Sequence, residues 1–181
     1  MNTLNILTER NRQFAANFVP QPLGMPILKA MIVSCVDMRV DPAYILGVDL
    51  NEALVIRNIG GRITPATLET ISLLQAISQV QASQQTAPPT TLAGRFSLIV
   101  LHHTDCGITR LVGKPDLLAP YFGIDLAELL DKHVTDPYAA VTGDVALLRA
   151  MSLISRGWDV SGLVYDVKTG LVETVVAPDP M

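Results

Sequence analysis

The apolar positions along this chain change period several times, and each change marks an element. From Lys29 to Cys35 (K-A-M-I-V-S-C) and from Ala53 to Arg57 (A-L-V-I-R) apolar residues follow one another almost without a break. Runs this short, closed by turn residues, predict strands of a sheet covered on both faces. Phe96 to Leu101 (F-S-L-I-V-L) is the strongest of them. After Thr64 the spacing becomes that of a helix: Leu68, Ile71, Leu74 and Ile77 form one stripe, with Thr64 as N-cap, Pro65 in the first turn and an end at about Gln81. Asp136 and Pro137 repeat the cap and proline before a helix carrying Val141, Val145 and Leu148 and reaching about Ser155. Thr3 to Phe18 predicts an N-terminal helix. Two last strands, Gly162 to Val167 and Leu171 to Val176, flank a hairpin turn at Lys168-Thr169-Gly170.

Gln84 to Gly94 is polar and proline-rich, which predicts a loop too short and too central to separate domains. There is no internal repeat. Strands alternating with helices predict an α/β fold: a mainly parallel central sheet, flanking crossover helices and a C-terminal antiparallel edge hairpin. The expected organisation is a single domain over residues 1–181, with residues 1–28 as an N-terminal helical arm.

Composition narrows the function classes. A chain of 181 residues with 49% hydrophobic content can fill one core. Only 17% of residues are charged and mean hydropathy is positive, so part of the apolar surface is expected to be buried against a second copy, in a homodimer or higher homo-oligomer. A net charge of −4 without a Lys/Arg cluster argues against nucleic acid and against a polybasic membrane patch. The N-terminus lacks the layout of a secretory signal, and no apolar run reaches the roughly 20 residues of a membrane span. Two cysteines without a secretion signal suit a reducing cytoplasm and metal ligation or reactive thiols better than a structural disulfide.

Candidate chemistry sits at two strand ends, where ligands bind in parallel sheets. Cys35 closes the first strand and is followed by Asp37 and Arg39 in S-C-V-D-M-R; His103 and Cys106 lie just beyond Leu101 in L-H-H-T-D-C-G. Two thiols and an imidazole are a ligand set suited to zinc that leaves a fourth position free. A redox pair of cysteines is the competing reading.

C-x-D-x-R followed by H-x-x-C-G resembles the signature of the β-class carbonic anhydrases, and the likeness extends over V-I-R-N-I-G-G (Val55 to Gly61), the next helix and the final hairpin. The resemblance implies one zinc per chain, held by Cys35, His103 and Cys106, with Asp37 and Arg39 as a catalytic dyad beside the open coordination position. It implies reversible hydration of carbon dioxide to bicarbonate by zinc-bound hydroxide. Substrate walls are then expected within Asn58 to Arg62, where Ile59 is bulky, and just after Cys106, where Ile108 and Leu111 follow, with Ile59, Gly60, Gly61 and Gly107 as the pocket candidates.

The chain departs from the family pattern in carrying His102 where a glycine usually precedes the ligand histidine. Register gives the metal to His103 and leaves His102 as a supporting or core residue, or as a proton shuttle. A compact subgroup with H-H-T at this point includes carbonyl sulfide hydrolases, so hydrolysis of carbonyl sulfide to hydrogen sulfide and carbon dioxide is the second reading. A third is a non-catalytic zinc-stabilised binding module closed by Asp37, which would have no need of Arg39. Asp105 is expected to cap its own loop, His133 to be exposed, and Tyr44, Tyr121 and Trp158 to serve packing.

Overall fold

The computed structural model describes residues 2–21, 23–84, 94–155 and 157–179. Helix α1 spans Thr3–Ala15, strand β1 Ala30–Cys35, a single helical turn α2 Pro42–Ile45, β2 Ala53–Asn58, α3 Pro65–Gln84, β3 Phe96–His103, α4 Pro115–Phe122, α5 Pro137–Ala150, the short α6 Ser152–Ser155, β4 Trp158–Tyr165 and β5 Val172–Val176. The strand order is β2-β1-β3-β4-β5. All neighbours pair parallel except β4 and β5. This is the expected α/β architecture with an antiparallel edge. Most of the loop expected from Gln84 to Gly94 lies outside the described residues.

β1, between β2 and β3, is buried at every position. β2 is an edge strand, half-exposed along its length, so its apolar run does not lie between two covered faces as expected. Helix α5 lays Val141, Val145 and Leu148 against the core residues Met31, Val33, Leu98, Val100, Val160 and Val164. Gly162 lets it come close: a Cβ there would stand 2.9 Å from Val141 and 3.0 Å from Val145. The expected single helix to Ser155 breaks after Ala150, because Met151 takes an extended conformation that halts the helical ladder. Trp158 packs on Phe96, ring centroids 4.7 Å apart.

β3 runs two residues further than its apolar pattern indicates, because His102 and His103 pair with Val164 and Tyr165 of β4. Successive strand residues point to opposite faces, which separates the adjacent imidazoles. Register places Cys35 beside Asn58 on one side, and Ser34 beside Leu101 on the other. The end of β1 is thereby flanked by the turn after β2 and by the loop after β3.

Candidate metal centre

Cys35, His103 and Cys106 come together at the carboxyl ends of β1 and β3, their ligand atoms all within 4.8 Å of one another. All three are buried. His103 Nδ1 donates to the Thr104 carbonyl oxygen at 2.9 Å, which leaves Nε2 as the unprotonated nitrogen. That Nε2 is buried and has no hydrogen-bond partner among the described residues. A buried lone pair without a donor is costly, and one aimed at two sulfurs is satisfied by a cation. The two-sulfur, one-nitrogen set therefore fits zinc.

The sulfurs are electrostatically unequal. The Cys35 thiol is pushed down to about 4, chiefly by donation from the Cys106 thiol 3.8 Å away, against the opposing effect of burial. Backbone N–H groups of Asp37, at 3.4 Å, and Gly60, at 3.3 Å, add to this. Cys106 is pushed up by the same contact and by burial.

Asp37 and Arg39 meet in a turn and not along an extended strand. The Val40 N–H donates to the Asp37 carbonyl at 3.1 Å, so the pair sits in a turn. Asp37 Oδ1 accepts from Arg39 N at 2.9 Å and Nε at 3.0 Å, and Oδ2 accepts from Nη2 at 2.7 Å. This fork holds the Asp37 carboxyl down at about 2. The same guanidinium reaches Asp105: Nη1 donates to Oδ2 and Nη2 to the carbonyl oxygen, each at 2.9 Å. Asp105, in a left-handed conformation (φ 51°), thus answers Arg39 and does not cap its own loop. Arg39 ties the loop carrying Cys35 to the loop carrying Cys106.

Gly60 and Gly61 form a tight left-handed turn within Ile59–Gly61, with φ of 79° and 67°. At Gly61 a Cβ would lie 2.9 Å from the Leu101 oxygen and 3.1 Å from Cys35 N, so only glycine fits. Gly107 has no such constraint: a Cβ would meet nothing within 4 Å, and the residue opens the 3₁₀ turn Gly107–Leu111 after Cys106. A cavity of about 40 Å³ borders His103 and Cys106 and is lined by Gly60, Arg62, Ile108, Thr109 and Thr135 among others. Of the expected wall residues Gly60, Arg62 and Ile108 line it; Ile59, Gly61, Gly107 and Leu111 do not, and Ile59 is 46% exposed.

Several supporting residues escape a reading of motifs. Arg57 donates from Nε to the Cys35 carbonyl at 2.9 Å and from Nη2 to the Asp37 carbonyl at 2.8 Å, and pairs with Asp41 at 2.5 Å. Asn58 closes the glycine turn by accepting from Arg62 N at 2.8 Å and donating to the Arg62 carbonyl at 2.7 Å. Tyr121, expected to be packing, donates its hydroxyl to the Ile59 carbonyl at 2.6 Å. Tyr44 is 89% exposed and packs on little. His133 is exposed, as expected. His102 is 2% exposed and faces Asp144 of α5, which forms a buried fork with Arg62. Burial pushes the Asp144 carboxyl up, but donation by His102 and Arg62 outweighs it and the net shift is down. A carboxylate on the same helical stripe as Val141, Val145 and Leu148 was the signal available in the sequence.

Residues 30–121 match the carbonic anhydrase family. The chain is 35% identical to beta-carbonic anhydrase 1 of Mycobacterium tuberculosis, over 91% of this chain and 93% of that protein. It is 28% identical to a carbon disulfide hydrolase of Acidianus sp. (strain A1-3), over 76% of this chain and 72% of that one. Among solved structures, a carbonic anhydrase from Streptococcus mutans matches with a TM-score of 0.69 at 29% identity, covering 97% and 98% of the two chains. With sequence likeness spanning nearly the whole length and a matching fold, this chain belongs to the β-class carbonic anhydrase family.

Proposed function

We infer that the protein is a zinc enzyme catalysing the reversible hydration of carbon dioxide to bicarbonate. The observation that carries this reading is the buried Nε2 of His103, without a hydrogen-bond partner among the described residues and within 4.8 Å of two buried sulfurs, next to a carboxylate held ionised by Arg39. Cys35, His103 and Cys106 would hold the ion, one per chain. When bound, zinc supplies Lewis acidity that lowers the pKa of a water to about 7.

The chain's own residues do the rest. Arg39 occupies Asp37 Oδ1 twice and Oδ2 once, which leaves a lone pair on Oδ2 to accept a hydrogen bond from the attacking water oxygen and to direct that oxygen's remaining lone pair at the substrate. Arg57 keeps the backbone of Cys35 and Asp37 in place for this. The cavity beside His103 and Cys106 has room for a molecule of only a few atoms, which suits a triatomic substrate.

The Acidianus relative supports a second reading, hydrolysis of a carbon–sulfur double bond, with carbonyl sulfide as the substrate intermediate between carbon disulfide and carbon dioxide. These substrates differ in the size and softness of one end, and a difference of that size in an apolar wall is worth about 1 to 3 kcal/mol. Overlapping activities are therefore expected, with carbon dioxide hydration the greater.

The working unit is proposed to be at least a homodimer, with residues 1–28 as an arm of the single domain. Val36 and Met38, next to Cys35 in sequence, and Ile59, next to the Gly60 whose N–H reaches Cys35 Sγ, are 48%, 94% and 46% exposed, and α1 buries none of its residues. Among the described residues no helix is long and apolar enough to cross a membrane. Two free cysteines that must act as thiolates suit the reducing cytoplasm.

The test is the zinc-loaded protein given carbon dioxide, carbonyl sulfide and carbon disulfide in parallel, with zinc counted in each preparation. Carbon dioxide hydration with the highest kcat/KM, about one zinc per chain, and no zinc in Cys106→Ala are expected. Faster sulfide release than bicarbonate formation would reverse the order of the two readings. Full zinc in Cys106→Ala would remove the proposed ligand set.

A further inference from the structure

We propose that Asp144 is a positioning residue for the metal centre: through Arg62, Ile63 and His102 it holds the Gly60–Gly61 turn so that the Gly60 N–H points at Cys35 Sγ. This rests on reading Cys35, His103 and Cys106 as metal ligands.

The turn cannot hold itself. Two successive glycines at positive φ occupy a conformation that glycine enters and leaves easily, so its persistence depends on what grips it. Several side chains grip it. Asn58 closes the base through its reciprocal bonds with Arg62. Tyr121 fixes the Ile59 carbonyl, immediately before Gly60. Asp144 holds the other side: its Oδ2 accepts from Arg62 Nε at 2.7 Å and from the Ile63 N–H at 3.2 Å, and its Oδ1 accepts from Arg62 Nη2 at 3.2 Å.

His102 completes the arrangement. Its Nε2 lies 3.2 Å from the Gly61 carbonyl oxygen and 3.4 Å from Asp144 Oδ2. Both neighbours are acceptors, so Nε2 carries the hydrogen and the ring links the carboxylate to the turn. Every group that meets Asp144 in these bonds belongs to the turn's exit or to the residue touching its carbonyl. The outcome at the other end is the Gly60 N–H donating to Cys35 Sγ at 3.3 Å. Hydrogen bonds to a ligating sulfur tune its donation to a metal, and partners that set them typically change metal affinity by about 10- to 100-fold.

Packing alone does not account for a carboxylate here. Asp144 shares its helix face with Val141, Val145 and Leu148 and is 2% exposed, where an apolar residue of similar size would fill the space, and buried ion pairs replaced by apolar groups are often neutral or better for stability. Holding the turn gives the charge a purpose.

The test uses the full chain loaded with Co²⁺, comparing wild type with Asp144→Asn, His102→Phe and the double variant Arg62→Met/Asp144→Leu. Readouts are the sulfur-to-cobalt charge-transfer band, the rate of cobalt loss to a chelator and the thermal midpoint. A shifted band and metal loss faster by about 10- to 100-fold are expected in all three, including the double variant when its thermal midpoint returns to the wild-type value. Should Asp144→Asn fail to fold, His102→Phe, which leaves the ion pair whole, carries the comparison. A wild-type band and loss rate in folded His102→Phe and in the double variant would overturn the positioning role. A wild-type protein without any sulfur-to-cobalt band would instead overturn the metal centre on which the proposal rests.

Discussion

At the scale of single residues, Arg39 shows how much one side chain can organise. Its five side-chain N–H donors form a fixed planar fork, a match for a carboxylate that a lysine could not reproduce, and four of them are engaged. Here the fork serves two carboxylates on two loops. Asp37 is consequently ionised far below neutrality: Arg39's side-chain bonds bring it to about 2. Because this pKa is depressed on folding, whatever the pair contributes to stability is present above the unfolded value of about 3.9 and disappears as pH falls towards 2. Asp37 therefore does not titrate between pH 5 and 8. Replacing it by asparagine keeps the shape and removes the charge, and turnover should drop by roughly 10² or more with zinc retained. Stopped-flow profiles should show a lower plateau with an unmoved inflection. Near-native turnover in Asp37→Asn with full zinc would make the residue a bystander.

At the scale of elements, the two glycine sites near the centre separate a structural demand from a motif. Gly61 lies where three strands' ends converge, with positive φ and the backbone of Cys35, Ser34 and Leu101 crowding the place a Cβ would take. Alanine there combines left-handed strain with a clash against main chain that cannot yield, and about 2 to 5 kcal/mol should be lost. Gly107 follows the proposed ligand Cys106 in the motif, yet it faces open space in an ordinary conformation. Gly107→Ala should change stability by no more than about 0.5 kcal/mol. Urea unfolding of both variants measures the contrast; equal losses would show that the loop after Cys106 is held more tightly than its surroundings indicate.

For the whole molecule, surface area is the informative quantity. A folded monomer of 19.5 kDa should expose about 8,500 Å², whereas this chain exposes 11218 Å². The excess comes with apolar side chains: Leu4, Leu7 and Phe14 on α1 are each more than half exposed, as are Leu73 and Val80 on α3, and Val55 of edge strand β2 is 42% exposed. An edge strand paired on one side only and a helix α1 that buries none of its residues both call for a second copy. Sedimentation velocity at micromolar concentration should find no species smaller than a dimer. An active monomer under those conditions would refute this.

Much of the protein can be read from local pattern. Strand runs, helix stripes and proline-marked caps act over a few residues, so the sequence by itself determined the five strands and their α/β order. The ligand candidates followed because Cys35 and His103 stand where apolar runs stop, at the rim where parallel sheets bind ligands. Short turns such as Leu126–Lys132 and the helix Pro115–Phe122 left no comparable pattern, since one or two turns give periodicity too few positions to show. What only the tertiary structure decided are the contacts between distant segments: Tyr121 with Ile59, Arg39 with Asp105, and Arg62 with Asp144, 82 residues apart. Each is specified by geometry assembled after the chain has folded, and polar partners separated in sequence carry no period that could announce them.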